Sequence, residues 1–211
     1  MSSPFTELVF SRKSIRKYKK ELPPELWIED MIKCASRAPS PSNRQPVRFI
    51  RIASSEIRNQ LYKQMNNGRD SLLAKLENLS KPKKMKNRIN AYFRFSEFMT
   101  QAPLLFAVGI ISDQEGFSSS LADAGLIYKD HRGRADADIS TGLALQSFIF
   151  RAQELGLGTC ILTAPLSFVP EPEKLMGIKD IEIRCFVTAG YPAESPADTP
   201  RKPLSEICLE I

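Results

Sequence analysis

The chain has 211 residues, 42% of them hydrophobic and 26% charged, which suits one globular domain able to bury a real core. Its net charge of +6 is unevenly placed: residues 11–20 (SRKSIRKYKK) carry +6, residues 66–95 carry another +6, and the rest sums to −6. Two local basic clusters on an acidic body exclude a uniformly basic, nucleic-acid-coating surface.

The four cysteines (Cys34, Cys160, Cys185 and Cys208) have no CxxC spacing and only one histidine for company. No zinc or iron–sulfur site is expected, and the thiols read as free and buried in a reducing compartment. No run approaches the ~20 apolar residues that span a bilayer, and MSSPFTELVFSRKS lacks the apolar core of a signal peptide. The expectation is a cytoplasmic protein without a membrane segment.

In SRKSIRKYKK, an extended chain puts Arg12, Ser14 and Arg16 on one side, and a helical one would again align Arg12 with Arg16. Two guanidiniums and a hydroxyl make a phosphate cradle, although a solvated basic face reads the same way. Residues 23–38 follow as a helix: Pro23 and Pro24 suit its start, and Ile28, Met31, Ile32 and Ala35 keep helical spacing. APSPSNRQP (38–46) breaks it and presents hydroxyls and amides on a stiff backbone. VRFIRIA (47–53) alternates like a half-buried strand, and residues 55–65 return to helix.

Residues 66–95 are polar, basic and interrupted by Pro82. LLFAVGII (104–111) is a continuous apolar strand. Residues 137–156 form a helix apolar around most of its circumference and ended by Gly156. Such a helix belongs at the centre of a core or at a subunit interface. Arg151 on it can pair with Glu154. Strands at 157–163 and 181–190, a proline-rich excursion, and a strand-like end at 204–211 complete an α+β pattern with a mixed central sheet flanked by helices. His131 reads as an isolated loop histidine, and Cys160 as core.

Four blocks, in order, resemble the FMN-dependent nitroreductase family: RKSIRKY (12–18), APSPSNRQPVRF (38–49), DISTGLALQSFIFRAQELGLGT (138–159) and GYPAESPADTPRKPLSEI (190–207). The resemblance spans essentially the whole chain. It implies a single nitroreductase-like domain over residues 1–211 with a helical substrate cover at about 66–95. It also implies a homodimer that exchanges C-terminal strands and holds FMN between its subunits.

Carried over by position, Arg12, Lys13, Ser14 and Arg201 would hold the FMN phosphate, and Arg16 would face the flavin N1/C2 edge. Pro39, Ser40, Ser42 and Asn43 would line the ring from the other subunit, with Gln45 on its pyrimidine side. Thr163, Ala164, Pro165 and Leu166 would pass near N5, and Tyr92, Phe93 and Phe95 would tip the cover. The implied activity is two-electron transfer from NAD(P)H to an electron-poor acceptor, a nitroaromatic or quinone, by a ping-pong route. Its rivals are a flavin store without turnover and a basic nucleic-acid-binding module.

Val47, Ser147 and Arg151 depart from the family pattern. In the iodotyrosine deiodinase subgroup a lysine stands at the position of Ser96 and a threonine at that of Ala164, so dehalogenation is not expected. The flavin-cleaving branch that makes the lower ligand of cobalamin is expected still less.

Overall fold

The computed structural model describes residues 3–78, 81–111, 117–127 and 135–210. Its core is a four-stranded sheet of β1 (Val47–Arg51), β2 (Leu104–Ile111), β3 (Gly158–Leu162) and β4 (Ile181–Gly190), in the order β1-β2-β4-β3. All three pairings are antiparallel, with Phe49 opposite Val108, Val108 opposite Cys185, and Ile161 opposite Val187. The mixed sheet expected from the sequence is thus antiparallel in its strands. Among the described residues its one parallel element is an isolated bridge from Ser14 to Thr159. Helices at Ser55–Ala74 and Pro82–Arg94 lie between β1 and β2, and the antiparallel pairing means that the chain re-enters the sheet at the end from which it left.

β2 is buried along almost its whole length because both faces of the sheet are covered. That is why its sequence is a continuous apolar run and not an alternating one. On one face, Leu104, Phe106 and Val108 meet α2 (Glu25–Ser36) and α6 (Ala135–Glu154). Phe148 of α6 stacks on Phe49 at 5.2 Å between ring centroids and meets Phe106 edge-on at 5.6 Å. On the other face, Leu105 and Ala107 join Leu61 and Met65 of α3 (Ser55–Ala74) and Phe93 of α4 (Pro82–Arg94). Phe168, from the one-turn helix α7 (Pro165–Phe168), closes this second cluster.

Three expectations change. First, α3 runs to Ala74, well past residue 65, because it packs along α7. Its Gly68 lies so close to α7 that an added Cβ would sit 1.9 Å from the carbonyl oxygen of Phe168. Second, residues 204–210 form no strand: one 3₁₀ turn at Leu204–Glu206 is followed by chain whose Leu204, Ile207 and Leu209 are exposed. A strand needs a partner edge for its N–H and C=O groups, and the protomer offers this segment none. Third, Cys160 and Cys185 are buried as expected, but Cys208 is exposed and Cys34 half-buried.

The apolar circumference of α6 is real. One side buries Ala144, Leu145, Phe148 and Ile149, while Ile139 and Leu143 on another side face solvent. Gly156, at φ +76°, ends the helix as the sequence suggested. Arg151 donates to Glu154 at 2.6 Å, as expected, and also to Asp30 at 2.7 Å, which ties α6 to α2.

Candidate functional site

The N-terminal basic stretch adopts the extended of its two readings and lies along the outer edge of β3. The N–H of Ile15 donates to the carbonyl of Thr159 at 2.9 Å, next to the Ser14–Thr159 bridge. Extended geometry then sorts the side chains by parity. Ile15 turns into the body, where a side chain in place of Gly158 would collide with it at 2.4 Å. Parity assigns Arg12, Ser14 and Arg16 to the opposite side, a pattern that Tyr18 leaves by turning inward to Thr188.

Cys160 registers that side. Burial pushes its thiol pKa up, and the positive field of Arg16 and then Arg12 acts against the rise. The charges of Arg12 and Arg16 thus both act at the β3 edge, opposed there by the Glu194 carboxylate. The Arg16 guanidinium also lies 5.8 Å from the centroid of the Phe95 ring, which is exposed. Among the described residues neither arginine forms an ion pair.

The tail beyond β4 is stitched to this stretch. The Glu194 carboxylate accepts the N–H of Arg16 at 2.6 Å and of Lys17 at 3.1 Å. The N–H of Ala193 donates to the Lys17 carbonyl, and that of Lys19 to the Tyr191 carbonyl, each at 2.9 Å. Lys13, expected at the phosphate, spends its ammonium on the Pro196 carbonyl at 2.8 Å and on Asp198 at 2.9 Å. It fixes the segment that leads to Arg201, which is itself exposed. Beneath the stretch, the Tyr18 hydroxyl donates to the Ile15 carbonyl at 2.6 Å and meets Thr188 Oγ1 at 2.8 Å. Burial raises its phenol well above the ordinary range.

The proline-serine loop stands elsewhere. Ser42, Asn43 and Gln45 all have φ near +50°, the left-handed region that non-glycine residues avoid. Each costs of order 1–3 kcal/mol unless the surroundings enforce it. Here Ser40 Oγ accepts the N–H of Gln45 at 2.9 Å, Gln45 donates to Asn43 Oδ1 at 3.2 Å, and Arg44 reaches Asp136 of α6 at 3.1 Å. Pro39, Ser40 and Gln45 line a recess of about 260 Å³ with Val47, Phe49, Ser140 and Ala144. No residue of the 12–16 stretch or of 163–166 lines it. In one protomer the two halves of the expected site are separate surfaces.

Thr163 and Ala164 lie at the exit of β3, where the Leu166 N–H donates to the Thr163 carbonyl at 3.1 Å to start α7. Pro165 is buried and Leu166 half-buried. Thr163 and Ala164 open onto a cleft covered by α4, to which Tyr92 contributes. Phe93 does not tip this cover. It is buried, edge-on to Phe168 at 5.7 Å, with the Arg69 guanidinium 4.4 Å from its ring centroid. Helical spacing from Ile89 already carried that signal. Ser96 is buried and donates to the Tyr92 carbonyl at 2.7 Å. Glu194 and Asp198 went unnoticed in the sequence, where the Pro-rich excursion offered no pattern pointing to them. His131 lies outside the described residues. Among those residues no His/Cys/Asp/Glu group could hold a metal, and no helix is long and apolar enough to cross a membrane.

The protein-family model described as the nitroreductase family matches residues 9–191. The Bacillus subtilis protein YfhC, provisionally named an NAD(P)H nitroreductase, is 24% identical over 97% of this chain and 93% of its own length. Iodotyrosine deiodinase from Thermotoga neapolitana is 27% identical over 92% of each chain. Among solved structures, a BluB-like flavoprotein from Clostridium difficile superposes with a TM-score of 0.83 at 23% identity, over 99% of both chains. An iodotyrosine deiodinase bound to FMN and 3-iodo-L-tyrosine superposes at 0.68, with 23% identity over 93% of this chain and 94% of its own. At these identities the superpositions establish a common fold. Both basic and proline-serine segments fall within the matched span, and the chain belongs to the nitroreductase family.

Proposed function

We propose that the protein is an FMN-dependent oxidoreductase that passes two electrons from NAD(P)H to an electron-poor acceptor such as a nitroaromatic or quinone, donor and acceptor using the same slot in turn. The observation that carries this reading is the laying of Arg12, Ser14 and Arg16 along the β3 edge by the Ser14–Thr159 bridge, both guanidiniums free of carboxylate partners among the described residues, where Glu194 and Lys13 pin the tail. That donor set fits the dianionic phosphate of a mononucleotide, since unpaired guanidiniums recognise phosphate by charge-assisted, bidentate bonds.

Arg12, Ser14 and Arg201 would hold the phosphate, Lys13 acting through the tail it anchors. Arg16 would supply fixed positive charge at the ring edge where reduction deposits negative charge, which tunes the cofactor's potential. Thr163 to Leu166 would back the reactive side, and Tyr92 would shield it from water. Bound flavin would itself supply the two-electron chemistry, so no side-chain general acid is required.

The same reading makes the chain one domain in a homodimer. The strained loop with Pro39, Ser40, Ser42, Asn43 and Gln45 would complete the site of a second copy, which accounts for its separation from Arg12 and Arg16 in one protomer. Exposed apolar side chains support this: Phe10 is 81% exposed, Ile139 60% and Leu209 78%. Leu204, Ile207 and Leu209 would gain a partner edge by crossing to that copy. Free cysteines suit a reducing cytoplasm. Deiodination is disfavoured by Ser96, an uncharged side chain buried under α4.

The test is the visible spectrum of the purified protein, followed by anaerobic addition of NADH or NADPH and then of a nitroaromatic or quinone. A yellow protein that bleaches and recovers supports the reading. A colourless one that takes up no FMN refutes it, and a yellow one that neither nicotinamide bleaches is a flavin store.

A further inference from the structure

The cleft between α4 and α7 has a composition that selects its occupant. Leu72, Met85, Ile89 and Phe168 make apolar walls, Tyr92 adds an aromatic face that is half-exposed, and Thr163, Ala164 and Ser167 form the floor. Among the described residues one charged side chain lines it, Arg88, and the volume of about 490 Å³ suits a small organic molecule. The helix that carries Arg88 has no acidic residue: Lys83, Lys84, Lys86 and Arg94 surround it, with Lys81 at its start. No carboxylate of α4 competes for the guanidinium, and the basic face draws anions toward the mouth.

We infer that this cleft selects a flat aromatic body bearing one carboxylate, with Arg88 as the residue that reads the anion. The walls offer contact to a ring over most of its area, while a guanidinium is the planar donor that a carboxylate matches with two parallel hydrogen bonds. A dinucleotide donor using the same slot would place only its nicotinamide ring between these walls, leaving its phosphates and riboses at the mouth. The inference rests on the oxidoreductase reading for its meaning, since Thr163 and Ala164 are the residues assigned there to the reactive side. The occupant would then be the electron acceptor.

The experiment titrates benzoate and benzamide, a matched charged and neutral pair, into the purified dimer with its cofactor, by calorimetry. It then compares 4-nitrobenzoate with 4-nitrobenzamide as acceptors. Wild-type protein should favour the carboxylate in both. Arg88→Gln should weaken benzoate, and raise KM for nitrobenzoate, by about tenfold or more, as loss of one charge-assisted contact implies. Benzamide binding and kcat should move less than twofold. Arg88→Lys should recover part of the loss, and Lys33→Gln, on α2 across the sheet from the cleft, should change neither ligand.

Equal affinity for benzoate and benzamide in the wild type overturns the inference, as does a uniform loss for both in Arg88→Gln. So does an Arg88→Gln variant that loses only preference for NADPH over NADH, which would assign the guanidinium to the nicotinamide's extra phosphate. A colourless protein would sink the oxidoreductase reading while leaving the benzoate titration as an independent measure of Arg88.

Discussion

Replacing Gly68 by alanine gives opposite answers depending on whether α3 is judged alone or in its packing. In a free helix the change stabilises by about 1 kcal/mol, because alanine restricts the unfolded chain and suits helical geometry. In this fold the new methyl would lie 1.9 Å from the Phe168 carbonyl oxygen, 2.7 Å from its carbonyl carbon and 2.9 Å from its Cα. Ordinary contact begins near 3.4 Å, so helix and turn must separate by about 1.5 Å against backbone atoms that cannot rotate away. Strain of this kind costs typically 1–3 kcal/mol and here belongs at the upper end. The net effect is a loss of about 2 kcal/mol, a fall in Tm of roughly 4–8 °C for a chain of this size. Because α7 follows directly from Thr163 and Ala164, flavin reduction should slow as well. Differential scanning calorimetry at one pH and one flavin occupancy measures the first effect. A Gly68→Ala protein that melts at or above the wild-type temperature would refute the close packing of α3 on α7.

Arg12→Ala and Arg201→Ala should each weaken FMN retention by about tenfold to a hundredfold, the loss of one charge-assisted contact of roughly 1.5–3 kcal/mol; equilibrium dialysis with fluorescence detection checks it. Arg16→Ala should slow flavin reduction in stopped flow more than it lowers FMN affinity, and the reverse ranking would move Arg16 to the phosphate. In the unfolded chain the Cys185 thiol ionises near pH 9.0 and the Tyr18 phenol near 10.0, but burial pushes the Cys185 pKa up to about 12 and raises that of Tyr18 further. The unfolded state thus loses protons first, so stability should fall as pH rises above about 9, and Tyr18→Phe should make the slope above pH 10 shallower in urea titrations. Cys208 should react rapidly with a disulfide reagent while Cys160 and Cys185 react only on unfolding; equal rates for all thiols would contradict their burial.

The elements most legible in the sequence are those whose pattern is set by their own surroundings. LLFAVGII shows its two-sided burial in its composition, and α2 shows its inward face in the spacing of Ile28, Met31 and Ala35. α3 was cut short because NNGRD after Met65 is polar and holds a glycine, while the reason to continue is a partner, α7, a hundred residues away. The tail reads as a strand because Ile207 and Leu209 alternate with Glu206, Cys208 and Glu210, but a strand is a property of a pair. Among the six cations of residues 11–20, local sequence offers no means to separate Lys13 from its neighbours. Its role is set by Asp198 and the Pro196 carbonyl, contacts made only once the chain has folded back on itself. The shared parity of Arg12, Ser14 and Arg16, on which the proposed phosphate cradle rests, was legible because parity along an extended chain needs no distant information.

The pairing of Tyr18 with Thr188 joins points 170 residues apart, and that of Arg16 with Glu194 points 178 apart. During synthesis, residues 16–18 must therefore wait for Thr188 and Glu194 before they acquire a fixed arrangement. Bringing such remote points together carries a large closure entropy and comes late in folding. An anionic ligand held at the β3 edge, as proposed, would consequently be loaded only after these contacts have formed. The amides of residues 15–19 should then be among the last to gain protection when the chain is refolded in deuterated buffer.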